Sequence, residues 1–345
     1  MTYWHNKVLT PGYSNRVNLA VGDLLKTYWQ PRYWGIWLGV GLFYLLSLLP
    51  LKLRYRLSEP LGTLLYHLAR SRRRLVLANL TIALPDHPKA QREAIAKQHF
   101  QSLGVQLFAE MTECWFGPYR GGHVFGNSND RLAVEFEGMA NFEAALAQGR
   151  GLIILTPHFT HLEMTGLLLS RLMALNPVYR PHDNPLVDAL ILRGRTFAIG
   201  EHQTRPVPAQ ATRKMITLLR NQQTLGYLPD QRYRGKGHVT VPFFDQPAKS
   251  HTATSKLAAL THALVVPTFT ERRYDPIRYP KQGWYYVVRF YPALDDFPSG
   301  DDAEDTQRLH ALYEIEIKKN PSQYLWVHNR WDLSKQAIAE LIDHD

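Results

Sequence analysis

The chain has 345 residues, 40 basic and 30 acidic side chains, and a single cysteine. Its 45 % hydrophobic and 20 % charged content excludes a disordered or collagen-like chain, and its length allows a sizeable buried core. Cys114 alone can build neither an internal disulfide framework nor a multi-cysteine zinc site, a mean hydropathy of -0.28 argues against a bundle of membrane spans, and the net charge of +10 calls for an anionic partner.

Residues 1–32 are polar and rich in aromatics and asparagine, without the apolar core and cleavage site of a secretory signal. They are read as a separate polar segment. Tyr33 to Leu51 (YWGIWLGVGLFYLLSLLPL) then carries no charge over 19 residues. As a helix it would reach roughly 28 Å, just enough for a hydrocarbon core. Tyr33, Trp34 and Trp37 crowd its start, where interface aromatics belong. The expectation is a membrane anchor that either spans the bilayer or lies in its interface; Pro50 weakens the spanning form. Lys52, Arg54, Arg56, Arg70 and Arg72 to Arg74 follow, opposed only by Glu59. This bias places the remainder on the cytoplasmic side and suits anionic headgroups. Leu57, Leu61, Leu64, Leu65 and Leu68 share a face of a second helix, so 33–74 reads as anchor plus basic juxtamembrane helix.

Residues 89–116 read as one long amphipathic helix, with Phe100, Leu103, Leu107, Phe108, Met111 and Trp115 on its apolar side, followed by a loop rich in Gly and Asn over 117–131. From Val134 onward short apolar runs alternate with helical patterns. The runs are 134–136, 152–155, 177–179, 225–228, 264–269 and 284–291; the helical patterns lie near 141–148, 162–173, 185–195, 211–222, 253–263 and 303–319. This alternation predicts an α/β fold with a mixed, largely parallel central sheet flanked by helices, the whole of 75–345 forming one catalytic domain.

The stretch GLIILTPHFTHLEM (151–164) runs an apolar strand into a turn carrying His158, with Glu163 in the first turn of the next helix. Ligands of open α/β sheets bind at the carboxyl ends of strands. A histidine there can take a proton at neutral pH, and a carboxylate on its other nitrogen fixes the tautomer and stabilises the imidazolium. His158 and Glu163 are therefore the candidate catalytic pair. A metal site at H-x2-H-x-E (His158, His161, Glu163) fits no established spacing, so no metal and no cofactor are expected. The sequence contains no G-x-S-x-G elbow, no G-x-x-x-x-G-K-[ST] loop and no dinucleotide fingerprint. A base without its own nucleophile points to activation of a substrate hydroxyl. Two further strand-end clusters could build the site: Arg180, Asn184, Asp188, Arg193 and Arg195 within 178–195, and Asp230, Gln231, Arg232, Arg234 and Lys236 within 227–237. An arginine at a strand end can hold phosphate or an oxyanion. Nucleic acid is not expected as a partner, given the apolar anchor.

Taken together, PRYWGIWLGVGLFYLLSLLP (31–50), RRRLVLANLTIALPD (72–86), HFTHLE (158–163), VYRPHDNPLVD (178–188), LPDQ (228–231), VPFFDQPAKSHTATSKLA (241–258) and PSQYLWVHNRW (321–331) resemble, in order, the bacterial lipid A biosynthesis acyltransferases, the late enzymes that add secondary acyl chains, and among them the lauroyl-transferring branch. The resemblance implies a glycerolipid acyltransferase-like fold at the cytoplasmic face of the cell inner membrane. It implies transfer of a fatty acyl group from acyl carrier protein to a hydroxyl on an acyl chain of a lipid A precursor. It also implies that His158 and Glu163 match the H-x4-D/E catalytic pair, that Arg180 matches an arginine supporting the site, and that Asp230 lies in the matching P-D segment. Arg180, Asn184 and Asp230 are accordingly the candidates for substrate binding or oxyanion contact. Two departures stand out: PDQRYRG places Arg232 and Arg234 where P-D-x-D-Y-G is usual, and HNRWD closes the chain's last motif where a second arginine and a lysine are common. The base pair by itself would serve another glycerolipid or glycolipid acceptor equally well.

Overall fold

In the computed structural model, residues 21–116 and 133–343 are described, apart from 197, 200, 201, 236, 281 and 282. Most of the polar segment 1–32 and the Gly/Asn-rich loop 117–131 thus lie outside the described residues.

Helix α1 (Val21–Thr27) leads through a 3-10 turn at Pro31–Tyr33 into α2 (Trp34–Leu48). The expected 19-residue apolar helix is not formed. Leu49 is extended (ψ 147°) because the ring of Pro50 disfavours helical backbone in the residue before it, and α3 (Leu51–Leu68) starts afresh. Among the described residues no helix is long and apolar enough to cross a membrane. Helix α2 is nevertheless two-sided. Ile36, Trp37 and Val40 pack against a small cluster of Leu24, Tyr33, Leu186 and Leu190, while Leu38, Leu42, Leu45 and Leu48 are exposed.

The leucine stripe of α3 is divided: Leu57, Leu64 and Leu68 are exposed, while Leu65 packs partly buried against the core. Its buried face is Arg54, Tyr55, Ser58 and Gly62. The reason is a close backbone crossing with α5 (Lys89–Val105), where a methyl group on Gly62 would overlap the Phe100 carbonyl and one on Gly104 the Ser58 carbonyl. Between them α4 (Arg70–Ala83) buries Leu75, Val76, Asn79 and Leu80 and leaves Arg70, Arg72 and Arg74 exposed. The single helix expected over 89–116 is interrupted by a π turn at Gln106–Glu110 before α6 (Met111–Phe116). That turn carries Glu110 into the interior, where it pairs with Arg272 at 2.6 Å and accepts from the Tyr286 hydroxyl at 2.6 Å.

The remaining elements are β1 (Ala133–Glu137), α7 (Met139–Ala147), β2 (Leu152–Leu155), α8 (Leu162–Leu169), β3 (Leu175–Tyr179), α9 (Pro185–Arg195), β4 (Ala198–Ile199), β5 (His202–Gln203), β6 (Val207–Pro208), α10 (Thr212–Arg220), β7 (Thr224–Tyr227), β8 (His238–Phe243), β9 (Gln246–His251), α11 (Ala253–Thr261), β10 (Leu264–Tyr274), β11 (Trp284–Phe290), α12 (Asp302–Lys319) and α13 (Lys335–Asp343). Seven strands form one sheet in the order β1-β11-β10-β2-β7-β3-β6, and every neighbouring pair is parallel except β10 with β11. The sheet is thus mixed and largely parallel, as the alternating pattern requires.

Both faces of the central strands are apolar because both are covered. In β2, Ile153 and Leu155 join a core built with α4, α5, α10, α11 and α12, while Leu152 and Ile154 join a second core with Tyr55, Phe142 of α7 and Met164, Leu167 and Leu168 of α8. The β8–β9 hairpin was not legible as strands. Its two-residue turn is Phe244–Asp245, both at positive φ (50° and 58°), a geometry normally signalled by Asn-Gly. Phe243 and Phe244 are buried in the first core, which offsets the backbone cost.

Behind the sheet end, His161 donates from Nε2 to the Thr270 carbonyl at 2.6 Å, its Nδ1 is buried without a partner, and its ring stacks on Phe159. Burial, then the charge of Arg272, lower its pKa to about 3; burial lowers that of His99 to about 4. Both rings are neutral in the fold and protonated in the unfolded chain below about pH 6.5. Their contribution is therefore complete above that value and is lost as pH falls toward the folded values, by up to about 1.4 kcal/mol per pH unit for each ring. Urea midpoints measured from pH 7.5 to pH 5 are expected to fall steadily, and His161→Gln should flatten the slope; equal slopes in the two proteins would contradict this account.

Candidate active site

Strands β2 and β7 are parallel neighbours with Leu155 paired to Tyr227, and the Thr156 N–H continues the ladder to the Tyr227 carbonyl at 3.3 Å. His158 stands three residues beyond Leu155, and Asp230 three beyond Tyr227. Equal offsets from one register bring the two side chains together at the carboxyl end of the sheet. His158 Nδ1–H donates to Asp230 Oδ1 at 2.6 Å, and the His158 backbone N–H donates to Asp230 Oδ2 at 3.0 Å. The Tyr324 hydroxyl donates to the same Oδ2 at 3.0 Å.

Asp230 is 1 % exposed. Burial would raise its pKa, but the charge of His158, the two hydrogen bonds from that residue and the one from Tyr324 outweigh burial and hold the carboxyl below the usual aspartate range. Its ionised oxygens accept, so the imidazole proton sits on Nδ1 and Nε2 is left as the acceptor nitrogen. The His158 side chain remains 20 % exposed. In its neutral form an oriented and accessible imidazole of this kind can take a proton from a hydroxyl placed against Nε2, and the same carboxylate then faces the imidazolium.

Glu163, expected to hold that imidazole, is engaged elsewhere. Its carboxylate accepts from Arg195 Nε at 3.0 and 3.1 Å and also from the Arg195 Nη2. The physical reason lies in the next crossover: α9 packs on α6, as α8 does, and presents Arg195, whose guanidinium fork matches a carboxylate better than a single ring nitrogen does. The carboxylate against His158 is Asp230, a residue the sequence had placed among the substrate contacts. The signal that finds it is strand position: P-D directly after the strand that neighbours the histidine strand.

Arg180 is 84 % exposed, 3.6 Å from the equally exposed Asp183. Asn184 caps α9, its side-chain oxygen accepting from the Leu186 and Val187 N–H groups at 3.0 and 3.3 Å. Its oxygen is thereby committed to holding the helix that carries Arg195 rather than to a substrate. Arg232 and Arg234, the departures from the usual segment, both donate to Asp332 at 2.5 Å, so the two departures answer one another across the chain. His161 is sequestered behind the sheet, and among the described residues no cluster of three His, Cys, Asp or Glu side chains is placed to hold a metal. Cys114 is buried.

A cavity of about 440 Å³ opens beside this turn, lined by Leu65, Phe100, Leu103, Leu107 and Val327 with Gln231 and His328 among its polar groups. Gln231 directly follows Asp230, and the N–H of Leu325, another lining residue, donates to the His158 carbonyl at 2.9 Å. His328 lines the same space; its Nε2 accepts from the Arg232 N–H at 3.2 Å, and burial lowers its pKa to about 4, so it stays neutral beside the dyad.

Sequence comparison agrees with the motifs. The profile described as bacterial lipid A biosynthesis acyltransferase matches residues 24–332. The lipid A biosynthesis lauroyltransferase of Escherichia coli (strain K12) is 31 % identical over 313 residues, covering 90 % of this chain and 95 % of that protein. A lipid A biosynthesis acyltransferase of Haemophilus influenzae is 30 % identical over 305 residues (87 % and 91 %), and the E. coli lipid A biosynthesis palmitoleoyltransferase 27 % over 313 residues (89 % and 94 %). With both the match and the site geometry in hand, this chain belongs to the bacterial lipid A biosynthesis acyltransferase family.

Proposed function

We propose that the protein transfers a fatty acyl group from acyl carrier protein to a hydroxyl on an acyl chain of a lipid A precursor, with His158 as general base. The observation that carries this reading is the His158–Asp230 pair, whose neighbours Gln231 and Leu325 line an apolar cavity. The acceptor hydroxyl gives its proton to His158 Nε2 as its oxygen attacks the thioester carbonyl carbon. The tetrahedral intermediate then expels the carrier's sulfur, which takes the proton back from Nε2. No acyl-enzyme is needed. Asp230 holds the imidazole's tautomer and balances the imidazolium. Glu163 acts at one remove, tying α8 to α9 through its ion pair with Arg195. Arg180, which among the described residues is paired with the surface carboxylate of Asp183, is available to meet the oxyanion or a phosphate of the acceptor at small cost. The apolar cavity receives an acyl chain, and differences of one methylene there are worth about 1–3 kcal/mol, enough to rank donors by length.

The excess of positive charge suits two acidic partners, the phosphorylated acceptor and the carrier protein, and both contacts should weaken with salt. We further propose that the protein works on the cytoplasmic face of the cell inner membrane and contacts its lipids through the exposed apolar side of α2 and α3. This is supported by the stripe of Leu38, Leu42, Leu45 and Leu48, by the exposed Leu57, Leu64 and Leu68, and by the flanking exposed Lys52, Arg56, Arg70 and Arg72. The cavity residues Leu65 and Ala69 sit directly beside Leu64 and Leu68, so an acyl chain would pass from bilayer to site over a short apolar path.

Two measurements check this. With acyl carrier thioester and a lipid A precursor, mass spectrometry should show a gain of one acyl group, lost on His158→Ala and on Asp230→Asn by about 10²–10⁴-fold in kcat with the fold retained; full turnover in His158→Ala would remove the mechanism, and acylation of lysophosphatidic acid in preference to the lipid A precursor would reassign the acceptor. Leu38→Asp with Leu42→Asp should weaken co-sedimentation with phosphatidylethanolamine–phosphatidylglycerol vesicles at least about tenfold, whereas unchanged vesicle binding would contradict the docking face.

A further inference from the structure

Residues 321–326 run across the catalytic turn as a strap. The Gln323 carbonyl accepts from the Thr160 N–H at 2.8 Å, the Leu325 N–H donates to the His158 carbonyl at 2.9 Å, and Phe159 and Tyr324 form an isolated antiparallel bridge between these bonds. The turn is held from its other side by Ser102, whose hydroxyl meets that of Thr160 at 2.6 Å. The same strap delivers the Tyr324 hydroxyl to Asp230.

Taking His158 as the base, a reading on which this inference rests, we propose that Tyr324 is a positioning residue: its hydroxyl completes the hydrogen-bond set of Asp230 and so fixes both the direction and the proton affinity of the His158 imidazole. Asp230 is buried, and among the described residues its only ion-pair partner is His158 itself. The buried Arg330, which feels the charge of Asp230, donates to the Lys249 carbonyl at 2.9 Å and to the Ser250 hydroxyl at 2.5 Å instead. While the imidazole is neutral, three neutral donors hold the carboxylate: the imidazole N–H, the His158 backbone N–H and the Tyr324 hydroxyl. Of these, the tyrosine hydroxyl alone comes from outside His158. Hydrogen bonds to ionised acceptors are the strong ones, and each donor spreads the carboxylate's charge.

The hydroxyl is a donor and not a proton source, since burial, and after it the Asp230 charge, push its pKa well above the ordinary tyrosine value. The ring is placed independently of the hydroxyl, edge-on to Trp326 at 4.7 Å and to Phe159 at 6.1 Å. The other titratable or charged groups facing the dyad are His328 and Arg232 on the cavity side and Arg330, His310 and Tyr313 behind Asp230. His328 and His310 are held neutral by burial, so neither titrates with the base above pH 5.

Tyr324→Phe keeps the ring and deletes the donor. A carboxylate with one donor fewer holds the imidazolium's proton more tightly, so less free base is present at neutral pH. In the full-length protein, kcat is expected to fall about tenfold, KM for the acceptor to stay within about twofold, and the acid limb of the pH–rate profile to move up by about one unit. A 3-fluorotyrosine at 324 keeps the ring, strengthens the donor and should move the acid limb the opposite way; it carries the test if Tyr324→Phe does not fold. Trp326→Phe, which loosens the packing but spares the hydroxyl, should leave the limb in place. An acid limb unmoved in both hydroxyl variants, or moved equally by Trp326→Phe, would overturn the assignment. Undiminished activity in His158→Ala would instead remove the underlying choice of base, whatever Tyr324 does.

Discussion

A buried carboxylate must be paired or hydrogen-bonded, and Asp230 meets that constraint by taking three donors that all belong to the His158 turn or the strap across it. The site follows from this one requirement. Because Oδ1 is satisfied only by Nδ1–H, the imidazole cannot adopt the other tautomer without leaving a buried acceptor short of a donor. Because Oδ2 takes the backbone N–H of the same histidine, the turn itself is locked and not merely the ring. The two strands that lead into His158 and Asp230 are adjacent and in register, so the geometry is inherited from the sheet.

Around this pair the chain's two ends converge. The amino-terminal helices provide the wall of the cavity and an exposed apolar flank, while the carboxyl-terminal strap ties down the turn and fills the space behind it. Asn79 of α4 donates to the Trp326 and His328 carbonyls at 2.7 and 2.8 Å, joining the two ends directly. The match to the family profile ends at 332, one residue past the last motif and at the carboxylate that Arg232 and Arg234 share. The loop after β7 is thus tied to residues about a hundred positions later, and a chain ending before 320 would lack every donor that the strap supplies to it.

The sheet was legible because its strands are short, continuous apolar runs separated by helical periodicity, and β2, β7, β10 and β11 fall where those runs fall. What was illegible is instructive. Pro50 was visible as a weakness, yet the charge-free run on both sides of it masked the break at Leu49. The leucines of α3 were read by periodicity as a face lying on a membrane or on the core; two glycines, Gly62 and Gly104, draw the helices together on another face and leave Leu57, Leu64 and Leu68 outward. At the site, His158 was found from its place after a strand, whereas Glu163 was paired with it by sequence proximity. Proximity along the chain is a weak guide there, because a residue in the following helix points to whatever the next crossover brings, and α9 brings Arg195. Strand adjacency, which no single sequence displays, is what brings in Asp230.

The account stands or falls on which carboxylate holds the imidazole. The most direct measurement is the proton NMR of a sample with ¹⁵N-histidine, resolving the Nδ1–H of His158 in the wild type, in Asp230→Asn and in Glu163→Gln. A single strongly downfield Nδ1–H that disappears in Asp230→Asn and persists in Glu163→Gln is the predicted result. The same resonance lost in Glu163→Gln and untouched in Asp230→Asn would contradict the dyad and return the histidine to its neighbour in sequence.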